Sequence, residues 1–114
     1  MRYQILGEIA QRAELNPEPN DAIWASKGSL MAYTRHIRWE LRIPGGMDGA
    51  LRRMLSGEGI ALTHIQTEQP NQQVLLATNT PGHIAAWDLA DGPVVATRGA
   101  FMAAWGNIDI NVTI

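Results

Sequence analysis

From His36 to Ile43 the chain alternates strictly, with Ile37, Trp39, Leu41 and Ile43 set against His36, Arg38, Glu40 and Arg42. Successive side chains of a strand point to opposite faces, so a period of two with one apolar face predicts a half-buried β-strand. The C-terminal residues follow the same rule: Ile108, Ile110, Val112 and Ile114 alternate with Asp109, Asn111 and Thr113, and the chain stops inside a strand. Shorter β candidates are Tyr3 to Leu6, Gln11 to Leu15, Ala22 to Ser26, Leu30 to Tyr33, Ile60 to Gln66, Val74 to Ala77, Ile84 to Leu89 and Val94 to Thr97. Turn chemistry separates them. Pro17 and Pro19 lack the backbone donor that a helix interior or a central strand requires, and Pro81-Gly82 and Asp91-Gly92-Pro93 punctuate the second half in the same way.

One segment departs from this pattern. Met47, Ala50, Leu51, Met54 and Leu55 fall at helical spacing, with Asp48, Arg52 and Arg53 on the other side. Gly45-Gly46 before it and Ser56-Gly57 after it supply the backbone freedom of helix ends, so a short amphipathic helix is expected over Met47 to Leu55, covering an open end or edge of the sheets.

The chain also matches itself. Trp24 to Tyr33, WASKGSLMAY, aligns without gaps on Val95 to Ala104, VATRGAFMAA, an offset of 71 residues (Trp24 onto Val95). Ala25, Gly28, Met31 and Ala32 recur as Ala96, Gly99, Met102 and Ala103, and the same offset carries Ile37, Trp39, Leu41 and Ile43 onto Ile108, Ile110, Val112 and Ile114. A glycine held in both copies implies a backbone need, either positive φ or a close strand approach at a corner. The expected organisation is a single β domain over 1–114, with one repeat over about 1–80 and a partial second over about 81–114.

These residues resemble a known family. The corner from Ala25 to Tyr33, then Gly45-Gly46, then the run from Gly49 to Glu58 (GALRRMLSGE) are similar to the altered-inheritance-of-mitochondria, or mitochondrial biogenesis, family. Pro81-Gly82-His83-Ile84 with Asp88-Leu89, and Arg98 to Phe101, extend the likeness over essentially the whole chain. The family is placed in a superfamily similar to the tryptophan RNA-binding attenuator protein. The resemblance implies a β-rich fold of repeated units in a longer chain, of which this sequence resembles the N-terminal half, and a link of eukaryotic members to mitochondrial inner-membrane organisation. No residue here maps onto the attenuator protein's tryptophan or RNA contacts.

Composition narrows the chemistry. There is no cysteine among 114 residues, which removes disulfides and thiolate chemistry and fits a reducing compartment, so the expectation is a cytoplasmic protein. Nine basic and eleven acidic residues leave a formal charge of −2, too little to steer the chain toward nucleic acid. No run reaches the ~18 apolar residues of a membrane span. His36, His64 and His83 sit in separate elements without ligand spacing, and no G-x-S-x-G elbow or phosphate-loop pattern is present, so neither metal, cofactor nor catalytic residues are expected. Trp24 and Trp39 are assigned to the core, whereas Trp105 is expected to be partly exposed.

The sequence therefore predicts an all-β fold of repeated β-sandwich or double-stranded β-helix-like units with one short helix. The expected function is non-enzymatic, a binding or scaffold protein assembling through its β units; the alternative is an RNA-binding or small-ligand-binding module. Because the apolar face at Ile110 needs cover, a homo-oligomer is expected, or else the chain is a fragment of a longer product. The candidate interaction surface comprises Arg35, His36, Arg38, Arg42, Trp105 and Ile110. Far-ultraviolet circular dichroism should be dominated by β-structure; a mainly helical spectrum contradicts this reading.

Overall fold

A computed structural model describes residues 1–44, 61–78 and 80–111. The strands are β1 (Arg2–Leu6), β2 (Arg12–Asn16), β3 (Ala22–Ala25), β4 (Leu30–Tyr33), β5 (Arg38–Arg42), β6 (Leu62–Gln66), β7 (Val74–Ala77) and β8 (Ala103–Trp105). They form two four-stranded antiparallel sheets, in the orders β1-β2-β7-β4 and β5-β6-β3-β8. We call them sheet A and sheet B.

The strand registers decide which residues face inward. In sheet A, Leu15 lies opposite Val74 and Ala13 opposite Leu76; in sheet B, Ile23 lies opposite Ile65. Leu15, Ile23, Ile65, Val74 and Leu76 are each at most 1% exposed and form the centre of the core between the sheets. Burying a branched side chain of this kind contributes roughly 1.5–3 kcal/mol, which is why the alternation of each strand fixes its register.

Tight corners carry the chain between sheets. Between β3 and β4, Ser29 donates its backbone N–H to the Ser26 carbonyl at 3.0 Å and its hydroxyl to the same oxygen at 2.7 Å, and Gly28 adopts φ +88°. At the aligned position, Ala100 donates to the Thr97 carbonyl at 3.0 Å, so the hydrogen bond of the turn recurs at the offset of 71. Gly99 is not among the residues at positive φ, so the backbone need expected at both glycines applies at Gly28. The β1–β2 turn depends on Gly7, at φ +102°, where a Cβ would sit 2.8 Å from the Ala10 carbonyl oxygen.

At one end of the sandwich a buried polar knot ties two connections together. Gln72 accepts at Oε1 from the Thr34 hydroxyl at 2.6 Å and from the His36 N–H at 3.3 Å, and its amide donates to the Pro70 carbonyl at 3.0 Å. Thr67 donates its hydroxyl to the His36 carbonyl at 3.0 Å. Among the described residues every buried side-chain nitrogen and oxygen has a partner, as burial without water requires.

Several expectations need correction. Ile84 to Leu89 and Val94 to Thr97 form no strand; the region holds one short 3-10 turn at Leu89–Asp91, started by the Asp88 side chain accepting from the Ala90 N–H at 2.9 Å. Their apolar pattern lacks a sheet neighbour, and Val95 is exposed. Residues 108–111 are also not strand, although Ile108 and Ile110 are half-buried. The remainder of the expected C-terminal strand, 112–114, and the helix expected over Met47 to Leu55 lie outside the described residues. Measured by urea unfolding, Ile65→Ala should cost about 2–5 kcal/mol. Val95→Ala should change stability by no more than about 0.5 kcal/mol.

Candidate functional site

The strand β5 holds most of the charged candidates, and β5 is the edge of sheet B. Its register against β6 places Glu40 opposite His64, Arg38 opposite Gln66 and Arg42 opposite Leu62, all on the outward face, with Trp24 of β3 opposite His64 on the far side. Trp39 and Leu41 take the inward face, opposite Ile65 and Thr63.

On the outward face the charges are locally matched. Arg38 donates to Glu68 at 2.8 Å, and the Arg42 Nε lies 3.5 Å from Glu40. Arg42 also reaches His64, with its Nη1 at 3.4 Å from the ring Nδ1, and its guanidinium carbon stands 6.0 Å from the centre of the Trp24 ring. The His64 ring meets Trp24 edge-on at 4.6 Å. Arginine can only donate, so Nδ1 of His64 accepts and Nε2 carries the proton in the neutral ring.

On the inward face β5 runs past the core. Trp39 and Leu41 are 46% and 47% exposed, and Tyr33 of the edge strand β4 is 48% exposed. On the opposite side Tyr3 of β1, itself 48% exposed, packs on Trp105 of β8 with ring centres 5.4 Å apart. That contact stacks edge β1 over edge β8, so β4 and β5 lie together along the other side. A surface concavity of about 530 Å³ follows β5, bordered by Tyr33, Ile37 and Trp39 and by Arg38, His64 and Gln66.

The sequence over residues 3–114 matches the model of the family described as mitochondrial biogenesis AIM24. The chain belongs to that family. An uncharacterized protein of Streptococcus pyogenes serotype M6 is 28% identical over 101 residues, a match covering 82% of this chain and 40% of the relative, so the chain spans less than half of that relative's length. No solved structure matches the chain. Among the described residues no helix is long and apolar enough to cross a membrane.

In this member of the mitochondrial biogenesis family the structure separates the surface proposed from sequence. Arg35 and His36 occupy the connection between β4 and β5, whereas Arg38 and Arg42 project from the strand itself. Trp105 belongs to β8 at the far edge, half-buried against Tyr3, and Ile110 is half-buried outside any strand. Of the two tryptophans assigned to the core, Trp24 lies on the outward face and Trp39 on the inward face beyond the core's end. The sequence reading missed the grouping of Trp24, His64, Arg42 and Glu40, because it depends on the pairing of β3, β5 and β6. His83 serves a local latch: its ring bonds the Glu8 carbonyl at 2.7 Å, beside Gln11, which accepts from the Ile84 N–H at 2.7 Å. No cluster of three or more metal-ligating side chains occurs among the described residues.

Burial lowers the pKa of His64 below its ordinary 6.5, the positive charge of Arg42 lowers it further, and the Glu40 carboxylate opposes them with a smaller effect. The unfolded chain therefore takes up this proton at a higher pH than the folded one. Stability should decline as pH falls through 6.5 and level off below the folded pKa. His64→Gln should remove that portion of the decline in urea titrations across pH, and Arg42→Ala should raise the His64 pKa measured by nuclear magnetic resonance.

Proposed function

We propose that this domain is a non-enzymatic binding or scaffold protein whose β units assemble into a larger body. The observation that carries the reading is the open side of the sandwich, where the edge strands β4 and β5 present Tyr33, Trp39 and Leu41 to solvent. Aromatic and branched side chains grouped on a free sheet edge are the chemistry of protein contact. Partner copies of the same chain are the simplest source of cover, which makes the domain a homo-oligomer. The internal sequence match at the offset of 71 extends to a turn hydrogen bond at Ser26 and Thr97, although 93–96 and 109–111, aligned on β3 and on β5, are not strands. Ile108 and Ile110 are a weaker site for the contact than sequence alone suggested, because they are half-buried within their own copy.

The second reading is an RNA-binding or small-ligand module, by analogy with the attenuator protein. Arg42 beside Trp24 favours it, since arginine next to an aromatic ring suits a nucleobase. Against it, Arg38 and Arg42 each stand beside an acid, and the chain as a whole is slightly acidic. An electrophoretic shift with a random RNA pool should show no submicromolar binding. Tight, salt-sensitive binding lost in the Arg38→Ala, Arg42→Ala double variant would favour the second reading instead.

A further inference from the structure

Resting on the assembly reading above, we propose that β5 pairs antiparallel with β5 of a second copy about a two-fold axis at Trp39, joining the two sheets B into one continuous sheet. Among the described residues β5 is laddered only to β6, so its other edge carries backbone N–H and C=O groups in need of partners. Continuing the sheet in this way also keeps the inward face inward, which extends the apolar layer of Trp39 and Leu41 across the joint toward Tyr33.

The charges on β5 and the proline that follows the strand together select the register. A two-fold axis perpendicular to the sheet must pass through a residue position if inward residues are to face inward residues. Centred on Glu40, it sets Glu40 against the partner's Glu40 and Arg38 against the partner's Arg42, like charges at each outward position, which destabilises a strand pair. Centred on Arg38, it sets that arginine against itself. Centred on Leu41, it does pair Glu40 with the partner's Arg42, but it sets Arg38 against the partner's Pro44, which lies beyond β5 and whose nitrogen has no proton for a ladder. Centred on Trp39, it sets Arg38 against the partner's Glu40 and, by symmetry, Glu40 against the partner's Arg38. Trp39 then meets its own counterpart and Ile37 meets the partner's Leu41, so the apolar positions agree as well.

This selection argues for a second copy over any other strand. Edge strands often carry charge to prevent pairing, and a strand bearing one sign would repel itself in every register. Arg38, Glu40 and Arg42 alternate in sign, and the register they favour is self-complementary. The side chains are also free to turn toward a partner: Arg38 and Glu40 are 62% and 67% exposed, and their present ion pairs are on the surface.

The test is size exclusion with light scattering on the full chain and on the charge reversals R38E and E40R. The wild type should be a dimer at micromolar concentration. Each single variant should dimerise at least about tenfold more weakly, since two facing pairs become like-charged. An equimolar mixture of the two variants should restore dimers, because every facing pair is then opposite in sign, and the R38E/E40R double variant should dimerise alone. Circular dichroism and urea midpoints close to wild type establish that the variants are folded. A wild-type oligomer indifferent to both reversals overturns the β5 joint and leaves the assembly reading standing. Weakened single variants whose mixture does not recover overturn the register. A monomeric wild type overturns the joint and the homo-oligomer together.

Discussion

The face-to-face contact of two antiparallel sheets through Leu15, Ile23, Ile65, Val74 and Leu76 is the constraint on which the rest of the domain depends. Each of these residues is inward because its strand alternates, and a slip of one residue in any strand would exchange its core for its surface. The chain crosses between sheets repeatedly, so each crossing has to place the next strand with the correct face inward. The corner at Ser26 to Ser29 and the knot formed by Thr34, Thr67 and Gln72 hold such crossings, which explains why short polar side chains are buried at the rim of an apolar core.

A two-layer sandwich has two lateral sides, and this domain treats them differently. On one side Tyr3, half in water, packs on Trp105 and bridges β1 and β8. On the other, the core ends before the sheets do, and Trp39 and Leu41 extend past it. The same alternation that buries Ile65 therefore leaves its register neighbour Trp39 half in water. An apolar face at an unpaired edge is the feature of this family member that most directly points to assembly.

The outward face of sheet B shows a different balance. Its arginines are neutralised within a few ångströms, by Glu68 and by Glu40, and exposed pairs of this type contribute little to stability, typically below about 1 kcal/mol. Their effect is local: burial and then the charge of Arg42 lower the His64 pKa, and Trp24 packs against the His64 ring with the Arg42 guanidinium nearby. Of the candidate surface proposed from sequence, Arg38 and Arg42 are in the fold matched by acids, beside a strand edge that has no ladder partner among the described residues.

The alternation of 36–43 and the short apolar segments set off by turn residues around 12–15, 22–25, 62–66 and 74–77 determined by themselves that the chain is all-β and roughly where most strands lie. Such information is local, since a strand's alternation depends only on its own residues. The tertiary structure alone decided where each strand sits in its sheet, and with it the fate of each apolar face. Ile84 to Leu89, Val94 to Thr97 and residues 108–111 carry apolar patterns but join no ladder. Trp39 is exposed because β5 is an edge, and Trp24, His64 and Arg42 meet only because β5, β6 and β3 are adjacent. Hydrogen bonding between strands joins residues far apart in the chain, so neither an edge nor a cluster across strands is written in any single segment.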